Sequence, residues 1–179
     1  MVGPVIDADA QRRILATIEK GKGEARLVYQ AELGSLGEEG CYVPPTIFAD
    51  VPEQSTLAQE EIFGPVLSVM RAADLEEALR IANGTSYALT GGIFSRSPVN
   101  IERARREFRV GNLYINRKIT GALVDRQPFG GFKLSGTGAK AGGPDYLLQF
   151  THARTITENT LRHGFAPQNS QSFSKPSGE

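Results

Sequence analysis

The residues of this 179-residue chain best suited to chemistry lie in one short segment, Glu60-Glu61-Ile62-Phe63-Gly64-Pro65-Val66. A carboxylate at the mouth of a parallel strand can accept two hydrogen bonds from a sugar diol. An aromatic ring two residues later can pack on a flat heterocycle. Glu61 and Phe63 together therefore have the chemistry to hold a nucleoside. The plainer reading is a surface glutamate and a core phenylalanine ahead of a Gly-Pro turn, which is the commoner fate of such a pair.

Other chemistry is sparse. Cys41 is the single cysteine, so no internal disulfide can form, which fits a reducing cytoplasm. It stands in the apolar run Gly40-Cys41-Tyr42-Val43-Pro44-Pro45, with no activating base or cation beside it, and reads as a small hydrophobe. The two histidines, His152 and His163, are far from it in sequence, so no metal site is expected. Gly130-Gly131 lacks the strand-to-helix setting and the Lys-Ser/Thr ending of a phosphate loop. Arg103, Arg105, Arg106 and Arg109 read as a solvated helix face. Lys plus Arg equals Asp plus Glu, 20 each, which leaves no broad basic field for nucleic acid. No apolar run approaches a membrane span, and the N-terminus has no signal-peptide core.

The elements that must position these residues alternate. Asp7 caps a helix with Ile14, Leu15 and Ile18 on its apolar side, and Gly21 and Gly23 weaken its end. Residues 26–30 form a strand. Residues 42–51 contain Pro44 and Pro45 and read as an edge strand or an extended loop. Residues 66–70 suit a buried parallel strand. Asp74 with Glu77 makes a capping box for a helix whose buried stripe is Leu75, Ala78, Leu79 and Ala82, stopped by Gly84. A strand over 89–94 follows, then a helix from Ser97-Pro98 with Ile101, Ala104 and Phe108 inward, closed by Gly111, then a strand over 113–116. This alternation predicts an α/β fold with a parallel sheet and flanking helices. Residues 117–145 are Gly-rich and loop-like, the kind of stretch that carries function. Residues 146–150 suit a helical turn and 152–157 alternate like a strand. The polar tail from Pro167 is expected to be disordered.

The segment around Glu61 resembles the E-[IL]-F-G-P motif of the aldehyde dehydrogenase superfamily. Val2-Gly3-Pro4-Val5-Ile6-Asp7, Gly40-Cys41-Tyr42-Val43-Pro44-Pro45-Thr46, Asn83-Gly84-Thr85, Gly111-Asn112-Leu113-Tyr114-Ile115-Asn116 and Gln127-Pro128-Phe129-Gly130-Gly131 fall in the same family's order, over roughly residues 2–160. The stretch from Asn116 to Phe129, Ser135-Gly136-Thr137 and Gly142-Gly143-Pro144-Asp145-Tyr146 resemble the branch acting on glutamate semialdehyde, the 1-pyrroline-5-carboxylate dehydrogenases.

The resemblance implies NAD as cofactor, with Glu61 on the nicotinamide ribose and Phe63 beside the nicotinamide ring. It implies that a loop at Gly121 and Ala122 anchors the substrate's α-carboxylate, where a glycine beside a small residue lets backbone N–H groups converge on an anion. Some members carry Ser where this chain has Ala122, so only N–H groups can act there. Phe129 would pack on the aliphatic part of the substrate.

In the family a cysteine thiolate attacks the aldehyde and a glutamate activates water. Both precede the Gly3–Asp7 segment in the family's order, so neither catalytic residue is expected in this sequence. The sequence thus divides into 1–150 as the C-terminal part of the catalytic domain, 151–165 as an oligomerisation strand region and 166–179 as a tail. Expected partners are the small-molecule substrate and either further copies or a complementary N-terminal half. The alternative is a non-catalytic truncated relic that serves only as an assembly module.

Overall fold

The computed structural model describes residues 2–120, 122–123, 126–136 and 138–159. In the unit up to residue 149, the elements in chain order are helix α1 (Ala8–Glu24), strand β1 (Arg26–Gln30), α2 (Leu36–Glu39), β2 (Thr46–Ala49), α3 (Thr56–Gln59) and β3 (Val66–Val69). There follow α4 (Leu75–Asn83), β4 (Tyr87–Ala88), β5 (Thr90–Ile93), α5 (Pro98–Glu107), β6 (Asn112–Ile115) and β7 (Phe132–Lys133).

The helix starts follow their capping chemistry. The Asp7 carboxylate accepts from the Ala10 N–H at 2.7 Å, and the Asp74 carboxylate accepts from the Glu77 N–H at 2.9 Å. Glu77 reaches back one residue further than a capping box predicts, accepting from the Ala73 N–H at 2.6 Å. Ser97 caps α5 through the Asn100 N–H, with Pro98 at the first helical position. Gly21 and Gly23 fall in the last turn of α1, which runs to Glu24. The face bearing Ile14 and Ile18 is wholly buried, and that burial outweighs a glycine cost of about 1 kcal/mol.

The core gathers Ile14, Ile18, Val43, Phe48, Val51 and Leu57. It lies between α1, α3 and the sheet β1-β2-β3, in which β1 is antiparallel to β2 and β2 is parallel to β3. The proline-bearing stretch is thus a loop through Pro45, one of the two expected forms, and it leads into the central strand rather than an edge. Pro44 and Pro45 stand just ahead of β2 and use only their carbonyls, the Pro44 oxygen accepting from the Thr46 hydroxyl and the Pro45 oxygen from the Ala31 N–H. Because the ladder begins at Thr46, the missing proline N–H groups cost it nothing. Strand β3 pairs in parallel as expected, but Leu67 and Val69 on it are exposed.

Strands β5 and β6 form a second parallel pair, with Thr90 opposite Asn112 and Ile93 opposite Ile115. The single parallel sheet expected from the alternation is thus two parallel pairs among the described residues. A strand-helix-strand pattern sets the hand of a crossover but not which edge each strand joins. Short β4 and β7 pair antiparallel, tying the loop after β6 back to the chain just before β5.

A 3-10 turn covers Tyr146–Phe150, where a helical turn is expected. The strand expected over 152–157 is not formed: residues 151–159 are neither helix nor strand, and no strand ladder reaches them among the described residues. Gly121 and the tail from residue 166 lie outside the described residues.

Candidate functional site

A cavity of about 540 Å3 opens beside β5 and β6, walled by Leu89 and Thr90, by Tyr114, and by Ile119, Ala122 and Phe129 of the following loop. Its lining is mainly apolar with a few polar groups, the usual make-up of a small-molecule site. Tyr114 is buried, and its hydroxyl has no hydrogen-bond partner among the described residues. The cavity brings together Ala122 and Phe129, two of the residues singled out in the sequence.

The loop holding Phe129 is not loose. Phe129 and Ala141 form an isolated antiparallel bridge. The side-chain amide of Asn112 donates to the Pro128 carbonyl at 2.9 Å and accepts from the Gly130 N–H at 3.3 Å. The Lys140 ammonium donates to the carbonyls of Gly111 and Gly130 and lies 5.5 Å from the Phe132 ring centroid. Gly111 is required by this closeness, because an added Cβ would collide with the Gly130 carbonyl. Nothing in the local sequence announces Asn112 or Lys140 as clamps. Their partners lie 10 to 29 residues away, and only the Gly-Asn pair at a strand start hints at one of them.

Glu61 and Phe63 occupy a different place, and neither lines this cavity. Ile62 between them packs on the core, and its carbonyl accepts from the Arg13 guanidinium at 2.8 Å. Gly64 passes so close to α1 that a Cβ there would come within 2.8 Å of the Ile14 side chain. The backbone is thus pinned from below, and both flanking side chains turn outward. Phe63 is 77% exposed, so it is not part of the core that the described residues form. It sits at φ +54°, a left-handed conformation that costs a bulky residue about 1–3 kcal/mol. Glu61 is exposed and makes no hydrogen bond or ion pair among the described residues. An open carboxylate and an open ring face are thus held two residues apart on an anchored backbone.

Cys41 is half-buried, its carbonyl accepts from the Val5 N–H at 2.9 Å, and it does not line the cavity. No cluster of metal-ligating side chains occurs among the described residues. The arginines of α5 are engaged along their own helix. Arg103 pairs with Glu107 at 2.9 Å, and Arg105 and Arg106 pair with Glu102 at 3.4 and 2.8 Å. Hydrogen bonds from Arg106 and Arg105 hold the Glu102 carboxyl below its ordinary range, and Arg103 does the same for Glu107. This is a solvated, self-neutralised face rather than an anion site. No helix among the described residues is long and apolar enough to cross a membrane.

The helices, the two parallel strand pairs and the cavity make up a mixed α/β domain. The chain belongs to the aldehyde dehydrogenase family, which it matches over residues 1–156. It is 52% identical over 159 residues to the 1-pyrroline-5-carboxylate dehydrogenase of Geobacillus kaustophilus (strain HTA426), covering 88% of this chain and 30% of that protein. With 1-pyrroline-5-carboxylate dehydrogenase 2 of Bacillus subtilis (strain 168) it shares 51% identity over the same shares. Among solved structures, 1-pyrroline-5-carboxylate dehydrogenase from Thermus with bound NAD superposes with a TM-score of 0.77 at 57% identity, over 83% of this chain and 28% of that one. Proline utilization A from Bdellovibrio bacteriovorus, inactivated by N-propargylglycine, gives 0.84 at 57% identity, over 93% and 17%. The chain spans about 30% of the length of the curated relatives it matches.

Proposed function

We propose that these residues are the C-terminal part of an NAD-dependent dehydrogenase that oxidises L-glutamate γ-semialdehyde, the open form of 1-pyrroline-5-carboxylate, to glutamate in proline degradation, in the cytoplasm. The observation that carries this reading is the meeting of Ala122 and Phe129 in one apolar cavity, in a chain 52% identical to a 1-pyrroline-5-carboxylate dehydrogenase. Phe129 offers a flat apolar wall for the methylene groups of the substrate. The backbone N–H groups of Gly121 and Ala122 hold its α-carboxylate, with no hydroxyl from the side chain of Ala122. Glu61 accepts hydrogen bonds from the nicotinamide ribose, and Phe63 borders the ring. NAD supplies the hydride acceptor.

Residues 1–150 then form part of a catalytic domain whose nucleophilic cysteine and general-base glutamate come from the remaining length of the protein, on the same polypeptide or a complementary one. Residues 151–165 act as an assembly segment that takes up strand pairing only against another subunit, 151–159 having no strand of their own in this chain, and 166–179 act as a tail. Exposed Leu67 and Val69 on β3 are apolar surface that such a partner would cover.

The test supplies the cysteine-bearing part of the family to this chain and follows NADH with glutamate semialdehyde and with unbranched aldehydes lacking a carboxylate. A clear preference for glutamate semialdehyde is expected. Equal use of propionaldehyde would overturn the substrate assignment.

A further inference from the structure

We propose that Asn112 is a positioning residue that fixes Phe129, and through it the aldehydes the cavity accepts; the substrate part of this rests on the function proposed above. Phe129 is held at both of its peptide neighbours by one side chain. The Asn112 Nδ2 donates to the carbonyl of Pro128 at 2.9 Å, and its Oδ1 accepts from the N–H of Gly130 at 3.3 Å. Only an amide offers a donor and an acceptor side by side in one plane, so it acts as a substitute strand edge for residues 128–130.

On the other flank Phe129 exchanges hydrogen bonds with Ala141, at 2.9 Å from its N–H and 3.0 Å to its carbonyl. The Lys140 ammonium takes the remaining Gly130 carbonyl at 3.3 Å. Every backbone polar group from the Pro128 carbonyl to the Gly130 carbonyl therefore has a partner.

Asn112 is itself rigid. It opens β6 opposite Thr90, and its N–H donates to the Leu89 carbonyl at 3.0 Å. Leu89 and Thr90 are walls of the same cavity as Phe129. Asn112 thus sets the spacing between the strand wall and the aromatic wall, which is the dimension a substrate side chain must fit. Aspartate can replace only half of it. The acceptor for Gly130 remains, but the donor is lost and a carboxylate faces the Pro128 carbonyl.

The kinetic arm uses this chain completed by the cysteine-bearing part of the family. Asn112→Ala should raise the KM for glutamate semialdehyde about tenfold, as expected for losing two hydrogen bonds, with kcat within about twofold and the KM for NAD unchanged. Asn112→Asp should fall between. In a Phe129→Ala background the same Asn112→Ala change should add less than about twofold, because residues acting as one unit are not additive. Full additivity, or a loss confined to kcat, overturns the proposal.

The second arm uses the 179-residue chain and needs no activity. Hydrogen exchange at the Gly130 and Phe129 amides should quicken about tenfold or more in Asn112→Ala, while the β5–β6 ladder stays protected. Unchanged exchange at Gly130 sinks the proposal. If exchange quickens throughout the chain, the Ala variant has unfolded and Asn112→Asp decides, with Gly130 protected and Phe129 faster. If the completed wild-type enzyme ignores glutamate semialdehyde, the proposed function fails, and the exchange arm still decides whether Asn112 holds Phe129.

Discussion

Phe129 and Ala141 exchange both of their backbone hydrogen bonds, the Phe129 N–H reaching the Ala141 carbonyl at 2.9 Å and the Ala141 N–H reaching the Phe129 carbonyl at 3.0 Å. Twelve positions apart in sequence, they close the Gly-rich loop into a frame and leave the Phe129 ring against the cavity. The ring is 39% exposed, so its contribution goes to whatever occupies the cavity more than to the fold.

Truncating that ring should therefore act on substrate rather than on cofactor. In the completed enzyme, Phe129→Ala is expected to raise the KM for glutamate semialdehyde about tenfold, the size of one lost aromatic contact, and to leave the KM for NAD within about twofold. Steady-state kinetics with each substrate varied in turn checks this. Equal effects on both constants would count against Phe129 as a substrate wall.

Glu61 and Phe63 give the complementary result. Glu61→Ala removes an exposed side chain without partners among the described residues, so stability should move by less than about 0.5 kcal/mol. The KM for NAD should rise about tenfold or more, the worth of a charge-assisted hydrogen-bonded pair. Phe63→Gly relieves a left-handed backbone and loses little burial, so it should stabilise the chain by about 0.5–1 kcal/mol in urea denaturation while weakening NAD binding. A destabilised Phe63→Gly chain would show that the ring is packed for structure and that the φ carries no strain.

The carboxylates paired to arginine give a pH dependence with a definite sign. Arg106 and Arg105 lower the Glu102 carboxyl, Arg103 lowers Glu107, and Arg80 lowers Glu53, each by hydrogen bonding first. A folded value below the unfolded glutamate value of about 4.3 means these groups stabilise the fold above that pH. The contribution is lost as pH falls through the lower, folded value. Thermal midpoints should hold from pH 7 to about 5 and drop below about 4.3, by a small amount because the groups are exposed. Arg103→Met and Arg80→Met should each flatten the acid limb of that curve. An unchanged limb in both would show that solvent screens these pairs completely.

The legible parts of this fold are those set by near neighbours. Asp7, Asp74 and Ser97 each announce a helix three residues before the N–H they cap, and α1, α4 and α5 start where those signals stand. Pairing between strands was not legible. Pro44 and Pro45 predict an edge strand or an extended loop because proline cannot donate; the loop form holds through Pro45, but β2 begins at the next residue and is central. At the site, the chemical character of Glu61 and Phe63 could be read from residue type, but their outward aim depends on Gly64 against Ile14, a contact across 50 positions. The sequence does not mark Asn112 and Lys140 as clamps, because a clamp is defined by its distant carbonyls rather than by its own neighbours.

The purified chain alone should not oxidise aldehydes. In the family's chemistry hydride leaves only after a thiolate has made the aldehyde carbon tetrahedral. Cys41 is the only thiol here, and it is half-buried and does not line the cavity that holds Phe129. Cofactor binding should also be weak. Glu61 offers one bidentate contact, worth on the order of a few kcal/mol, which corresponds to millimolar affinity or poorer. Incubating the chain with NAD and glutamate semialdehyde while following NADH is the measurement, with Cys41→Ser run beside it. No NADH is expected from either. NADH formation abolished by Cys41→Ser would make Cys41 the nucleophile and overturn the assignment of that role to the rest of the protein. Activity that arises only when the cysteine-bearing part is added, and that survives Cys41→Ser, is the outcome expected of a working dehydrogenase segment. A relic kept only for assembly would bind that part and still produce no NADH.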